Sequence, residues 1–305
     1  MASTNMILAV LFVLGLFAPN VSSSRLLSSQ PSMKERHEQW MSEHGRVYKS
    51  DVEKEARFQV FKDNVEHIEA MNKLNRGFTL GLNAFTDMTS EEFRATHNGY
   101  KKHMKPASSM ESTSFKYENI TDAPVSIDWR THGAVTSIKD QGSCGCCWAF
   151  SAVASTEGIT QIKTGTLTSL SEQEIVDCDL PMGTCNTNAG PVAATLSSYQ
   201  DVPSNSESAL LNAVAGQPVS VAIDASGNDF HFYSEGVFSG PCGTNLDHAV
   251  TVVGYGTTSD GTDYWIVKNS WGTSWGEQGY IRMQRGLNSP QGLCGINMMA
   301  SYPLV

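Results

Sequence analysis

QGSCGCCWAF, Gln141 to Phe150, is the stretch from which the rest of the chain is read. A glutamine and a turn rich in Gly and Ser lead into Cys147, followed at once by Trp148, Ala149, Phe150, Ser151 and Ala152. No proline occurs from there to Lys163, and Gly165 then supplies a stop, so the spacing predicts a helix that begins at Cys147. A thiol at a helix N-terminus meets unpaired N–H groups and the positive end of the dipole, which favour a thiolate. A thiolate nucleophile needs a base, and the base needs a group to orient it. His248, in LDHAV, and Asn269, in VKNSWG, stand downstream, each beside an apolar run that reads as a strand. Taken singly, Cys147 reads as a buried structural thiol and His248 as a packed core residue. It is the set that carries chemistry.

Cys, then His, then Asn, with Gln141 six residues before the Cys, resembles the papain-like cysteine proteases, in particular plant members, over nearly the whole chain. The resemblance implies an α+β fold, with a helical half and an antiparallel β-barrel-like half flanking an active cleft. It implies that Cys147 attacks the scissile carbonyl, that His248 moves the proton, and that Asn269 holds the imidazole. Gln141 and the backbone N–H of Cys147 would form the oxyanion hole. Trp271 would cover the Asn–His hydrogen bond at the edge of the substrate site, and Asp247 would modulate the histidine.

The totals agree with a secreted zymogen. The chain has 305 residues and 40% apolar content, ample for one or two cores. Met6 to Ala18 is a nearly unbroken apolar run before the polar Asn20 to Ser24, which reads as a signal peptide over residues 1–24. A membrane anchor is the alternative, but so short a run does not span a bilayer. Residues 1–122 are charge-balanced, so the net charge of −10 belongs to residues 123–305. An acidic domain with few cations is a poor partner for nucleic acid or an anionic membrane. All seven cysteines (144, 146, 147, 178, 185, 242 and 294) lie in that acidic part, and an odd number leaves at least one thiol free.

Residues 25–35 are Ser-rich and read as unstructured. Glu53, Arg57, Phe61, Asn64, Ile68 and Asn72 then recur at spacings of 4, 4, 3, 4 and 4, one face of a helix. Their identities resemble the helical motif of the papain-family prosegment. Gly81, Asn83, Phe85 and Asp87, at period two, resemble its second motif. The implied prosegment covers 25–122, lies over the cleft and inhibits until removed. Its polar linker, Asn98 to Asp122, contains the glycosylation acceptor Asn119, and activation cleavage is expected near Asp122 to Val125. The peptidase domain, 123–305, opens with Ser126 to Arg130 and stays helical to about Tyr199. From Asp201 the runs Val219–Ile223, Ala249–Val253, Tyr264–Val267 and Tyr280–Met283 read as antiparallel strands.

The chain departs from the family pattern twice. Cys146 stands where Ser or Ala is expected. Three cysteines within four residues suggest a metal, but no spaced His or Cys pair accompanies them, so no metal and no cofactor is implied. His248 follows Cys147 by 101 residues, short of the roughly 130–150 of the family. About 30–40 residues are therefore missing, near 180–184, and with them a Cys, a Gly-Gly pair and a short helix. The resemblance pairs Cys178 with Cys185 and Cys242 with Cys294, and leaves Cys144 without its partner. One wall of the second specificity pocket remains as Ala222, Leu246, Ala249 and Met299. The expectation is an endopeptidase zymogen acting on protein or peptide substrates, monomeric, open to cystatin-like inhibitors, in a vacuole, lysosome or extracellular space. Its rival is a non-catalytic or inhibitory homologue, a splice form or a truncated gene model.

Overall fold

The computed structural model describes residues 31–101, 114–179 and 192–305. The signal-peptide reading over 1–24 and Cys185 lie outside these residues. The N-terminal part is built from α1 (Met33–Glu43), α2 (Asp51–Asn72), β1 (Phe78–Leu80) and α3 (Ser90–His97). The Ser-rich stretch read as unstructured to residue 35 is thus helical from Met33. The cause is a capping box: Ser32 Oγ accepts from the Glu35 amide and Glu35 returns a carboxylate to the Ser32 amide. α1 lays Trp40 against Phe61 and Val65 of α2, a small core of its own.

The polar members of the α2 stripe are anchors for the chain that follows. Arg57 forms a bidentate pair with Glu92 at 2.7 and 2.9 Å and also donates to the Asp87 carbonyl. Asn64 Nδ2 donates to the carbonyls of Thr86 and Met88, and Asn72 exchanges two 2.8 Å bonds with Leu80. Glu53 instead turns back to the Lys49 amide. From the second motif, Gly81 donates its amide to the Phe232 carbonyl and Asn83 donates Nδ2 to the His231 carbonyl. Asp87 accepts from the Tyr48 hydroxyl, and Phe85 is buried.

The remainder runs β2 (Ile127–Asp128), α4 (Cys147–Thr164), α5 (Glu172–Asp179), β3 (Ser198–Asp201), α6 (Glu207–Gly216), β4 (Val219–Ile223), α7 (Asn228–His231), β5 (Tyr233–Phe238), β6 (His248–Thr257), β7 (Asp263–Lys268), β8 (Tyr280–Gln284) and β9 (Ala300–Leu304). The helix expected from Cys147 is α4, closed by Gly165 in the left-handed conformation with φ 76°. The sheet is open, in the order β1-β5-β8-β7-β6-β4-β9-β3, with β2 paired to β6. Its pairs are antiparallel except β5 with β8, so the all-antiparallel expectation needs one correction. α6 also interrupts the region read as strands, because Leu210, Ala213 and Val214 give it a buried face. Among the described helices none is long and apolar enough to cross a membrane.

One core cluster joins the two parts. Phe78, Leu80, Phe85 and Phe93 from the N-terminal segment pack into the same apolar mass as Phe230, Trp265, Trp271 and Trp275. α4 is pinned to the sheet where Ser151 Oγ donates to the Val250 carbonyl at 2.6 Å and Ser220 Oγ donates to the Ser151 carbonyl at 2.9 Å. Cys242 and Cys294 are disulfide-bonded, as the resemblance implied, and Cys178 is also disulfide-bonded. Cys144 is not left without a partner. It bonds Cys146, the residue that departs from the family signature, and Cys147 is the free thiol among the described residues.

Candidate active site

Cys147 is the first residue of α4, and His248 the first of β6, so a helix terminus and a strand terminus converge at one end of the sheet. The Ala249 amide donates to Cys147 Sγ at 3.4 Å, which places the thiol beside the residue that follows the histidine. His248 Nε2 lies 2.8 Å from Asn269 Oδ1, just past the end of β7. The other ring nitrogen, Nδ1, is buried and has no hydrogen-bond partner among the described residues. Trp271 stacks on the imidazole, with centroids 4.5 Å apart. Gln141 is clamped by its neighbours: Ser270 Oγ donates to its Oε1 at 2.6 Å and its amide donates to the Ser270 carbonyl. That leaves the Gln141 side-chain NH2 free to donate into the cleft.

In this structure that donor meets the N-terminal segment. Gln141 Nε2 donates to the His97 carbonyl at 2.9 Å, and the Gly145 amide donates to the Thr96 carbonyl at 3.0 Å. Gly99 and Tyr100 place backbone N–H groups against the Cys147 sulfur. Asn98 donates to the Asp247 carboxylate at 3.1 Å, and Tyr100 donates its amide to the Asp247 carbonyl at 3.0 Å. The approach at Gly99 is so close that a Cβ there would fall on the Gly145 carbonyl oxygen. α3 and the turn after it therefore cap the thiol directly.

Comparison with known families and structures agrees with this arrangement. Residues 37–93 match the family described as the cathepsin propeptide inhibitor domain (I29). Residues 123–190 and 180–304 match the family described as papain family cysteine protease. The chain belongs to the papain family of cysteine proteases. Senescence-specific cysteine protease SAG12 of Arabidopsis thaliana is 47% identical, covering 95% of this chain and 95% of its own. A recombinant stem bromelain precursor is 46% identical with a TM-score of 0.82, over 90% of this chain and 99% of that one. The bromelain protease from Ananas comosus solved with the E64 inhibitor is also 46% identical, with a TM-score of 0.57, over 60% of this chain and 99% of that one. The protein is thus a cysteine endopeptidase precursor, with the N-terminal segment as its intramolecular inhibitor.

The papain-family match comes in two segments that overlap at residues 180–190. The alignment to SAG12 spans 329 positions, while 95% of 305 residues supplies about 290, which leaves about 40 positions blank on one side.

Electrostatics in this papain-family zymogen favour neutral groups. Burial pushes the Cys147 thiol up, outweighing the amides of Ala249, Gly99, Trp148 and Tyr100 that favour its anion. Burial lowers His248 to about 4, with the hydrogen bond to Asn269 opposing. The thiolate expected from the sequence is therefore not favoured while the segment covers the site. The helix N-terminus still aids an anion there, but desolvation is the larger effect. Burial likewise raises the Asp247 carboxyl, although Ala225 donates its amide to it at 2.9 Å.

Of the expected apolar wall, Ala222, Ala249 and Met299 line one chamber beside the thiol. Leu246 is half-buried against Gly295 and is not part of that wall. The sequence reading missed Ser270, although it sits beside Asn269 in the same motif. It also missed His97, Gly99 and Tyr100, whose contacts depend on where α3 lands. Nor did it find Asp229, which holds His67 at 2.8 Å and Arg76 at 3.7 Å from the prosegment.

Proposed function

We propose that Cys147 is the nucleophile of this endopeptidase and His248 its general acid and base. Asn269 orients the imidazole, and Gln141 with the Cys147 amide receives the oxyanion. The observation that carries this reading is the 2.8 Å bond from His248 Nε2 to Asn269 Oδ1, which leaves Nδ1 for the thiol. Once the cap is withdrawn, Nδ1 takes the Cys147 proton and the thiolate adds to the substrate carbonyl. The imidazolium then protonates the departing amine, and the neutral ring next activates water against the acyl-enzyme. Gln141 Nε2, which now meets the His97 carbonyl, would meet the oxyanion. Trp271 shields the ring from water.

The same reading extends to the chain's biology. It places the signal peptide at 1–24, the prosegment at 25–122 and the peptidase domain at 123–305, with cleavage near Asp122 to Val125. Asn119 is exposed and suits glycosylation in the secretory pathway. The destination is a vacuole, a lysosome-like vesicle or the extracellular space. Substrates carry an apolar side chain one residue before the cleaved position, the working unit is a monomer, and cystatin-like proteins inhibit it. The test is labelling of acid-activated protein with the epoxide E64. Label on Cys147 that is lost in His248→Ala is the expected result. Label absent, or shared equally with Cys144 and Cys146, would falsify the assignment.

A further inference from the structure

The bond between Cys144 and Cys146 adjoins Cys147 and closes a loop with only Gly145 between its two cysteines. Cys242 and Cys294, by contrast, are 52 residues apart. In the chain-entropy account, the stability that a disulfide adds grows with the loop it closes. Cys144–Cys146 is therefore the weaker staple of the two, and its place in the molecule suggests another use.

Three observations describe a bond that opens readily. Cys144 is exposed, so a thiolate in solution reaches its sulfur, whereas Cys294 is buried. Cys146 is the N-cap of α4 and its side chain makes no capping hydrogen bond there. A thiolate leaving at Cys146 thus lies at the positive end of the helix dipole, and a stabilised anion leaves faster. The Cys146 amide also donates to Cys144 Sγ at 3.2 Å, which favours an anion on that sulfur too.

What the loop holds is the seat of the prosegment turn. Gly145 is in the left-handed region with φ 63°, and its amide donates to the Thr96 carbonyl at 3.0 Å. Its carbonyl oxygen lies against Gly99. A glycine in an open chain visits many other conformations, and the ring restricts that freedom. Closed, the loop presents a preorganised donor to the cap; open, it does not.

We propose that Cys144–Cys146 is a reducible switch on the cap: a small thiol of the glutathione class opens it, and the prosegment turn then leaves the cleft more readily. The small thiolate attacks Cys144 Sγ, the bond to Cys146 breaks, and Cys146 departs as a thiolate. A second small thiolate attacks the external sulfur of the mixed disulfide, releasing Cys144 and the small disulfide. The two small thiols are oxidised, the protein disulfide gains two electrons, and the two thiol protons end on Cys144 and Cys146. One neutral hydrogen bond corresponds to about 5-fold in an equilibrium, which sets the expected size of the effect.

The experiment uses the full-length precursor with Cys147→Ala, which cannot process itself and has no active-site thiol for a reductant to unblock. It is equilibrated in graded reduced and oxidised glutathione, alkylated and mapped by mass spectrometry. Cys144 and Cys146 are expected to become alkylated at a reducing strength about 10-fold below that needed for Cys242 and Cys294. Hydrogen exchange at the Tyr100 amide, bonded to the Asp247 carbonyl at 3.0 Å, then reads the cap. Its protection is expected to fall about 5-fold on that reduction while α2 and β6 keep theirs. Adding Cys144→Ser and Cys146→Ser is expected to lower Tyr100 protection without thiol and to abolish the response to it. Opening of Cys144–Cys146 only together with or after Cys242–Cys294 overturns the switch. So does Tyr100 protection unmoved by the reduction, or a thiol response that persists in the serine variant.

Discussion

At the scale of single residues, the polar groups of the site are fixed by partners that do no chemistry themselves. Gln141 has one side-chain acceptor, and Ser270 Oγ occupies it at 2.6 Å. Its amide nitrogen therefore faces the cleft without a choice of rotation. Asn269 is held similarly, since its Oδ1 accepts from the Ser270 amide at 2.8 Å as well as facing His248. Replacing Gln141 by Ala is expected to lower kcat by roughly 10²- to 10³-fold with little change in KM, since in the proposed mechanism that donor meets developing charge. Steady-state kinetics on the activated enzyme check this, and a loss confined to KM would refute the role. Ser270→Ala should show a smaller loss of the same kind, because the Gln141 amide could then rotate. The fold brings together the residues that chemical identity and order pick out in the sequence, Cys147, His248, Asn269 and Gln141. The state of the thiol was not legible there. Whether helix dipole or desolvation prevails at Cys147 depends on Gly99 and Tyr100 lying over it, and no local pattern announces that contact.

At the scale of elements, inhibition depends on how α3 presents its C-terminal turn. Thr89 and Glu92 cap the helix at one end, and Arg57 of α2 ties Glu92 down. The turn after α3 then runs through Gly145 so closely that only a residue without a Cβ fits at position 99. Gly99→Ala drives a Cβ into the Gly145 backbone carbonyl, and the turn must lift. The uncleaved precursor carrying Gly99→Ala is expected to take epoxide label on Cys147 at neutral pH, where the parent takes little. Equal labelling of the two would show that the contact does not govern access. The elements divide in the same way between legible and hidden. β4, β6, β7 and β8 were readable as apolar runs bounded by Gly and polar residues. β5 breaks its alternation with Gly236 at φ 95°, and β9 contains Pro303, so both fall below a run-based threshold. α1 carried a readable sign in Ser32 and Glu35, three residues apart, which the Ser-rich composition around it obscured.

At the scale of the whole molecule, the prosegment and the peptidase share one core, so release of the segment must be driven by something stronger than thermal motion. Acid can supply it. Burial lowers His97 below its ordinary value and lowers His248 to about 4. Both are held neutral under the cap, and the uncapped state, with the ring open to water, returns toward 6.5. The depressed value means that between about pH 6.5 and 4 the uncapped state binds more protons, so the capped state loses stability as pH falls through that window. For His248 alone, the shift from 6.5 to about 4 corresponds to roughly 3 kcal/mol, or about 300-fold in the release equilibrium. Hydrogen exchange on a Cys147→Ala precursor, which cannot process itself, tests this once intrinsic exchange rates are corrected for pH. Protection across α3 is expected to fall between pH 7 and pH 4 while β6 and β7 retain theirs. Equal protection of α3 at both values would show that histidine burial does not couple acid to release, and a parallel loss in β6 and β7 would mean that acid unfolds the molecule as a whole instead of opening its cleft.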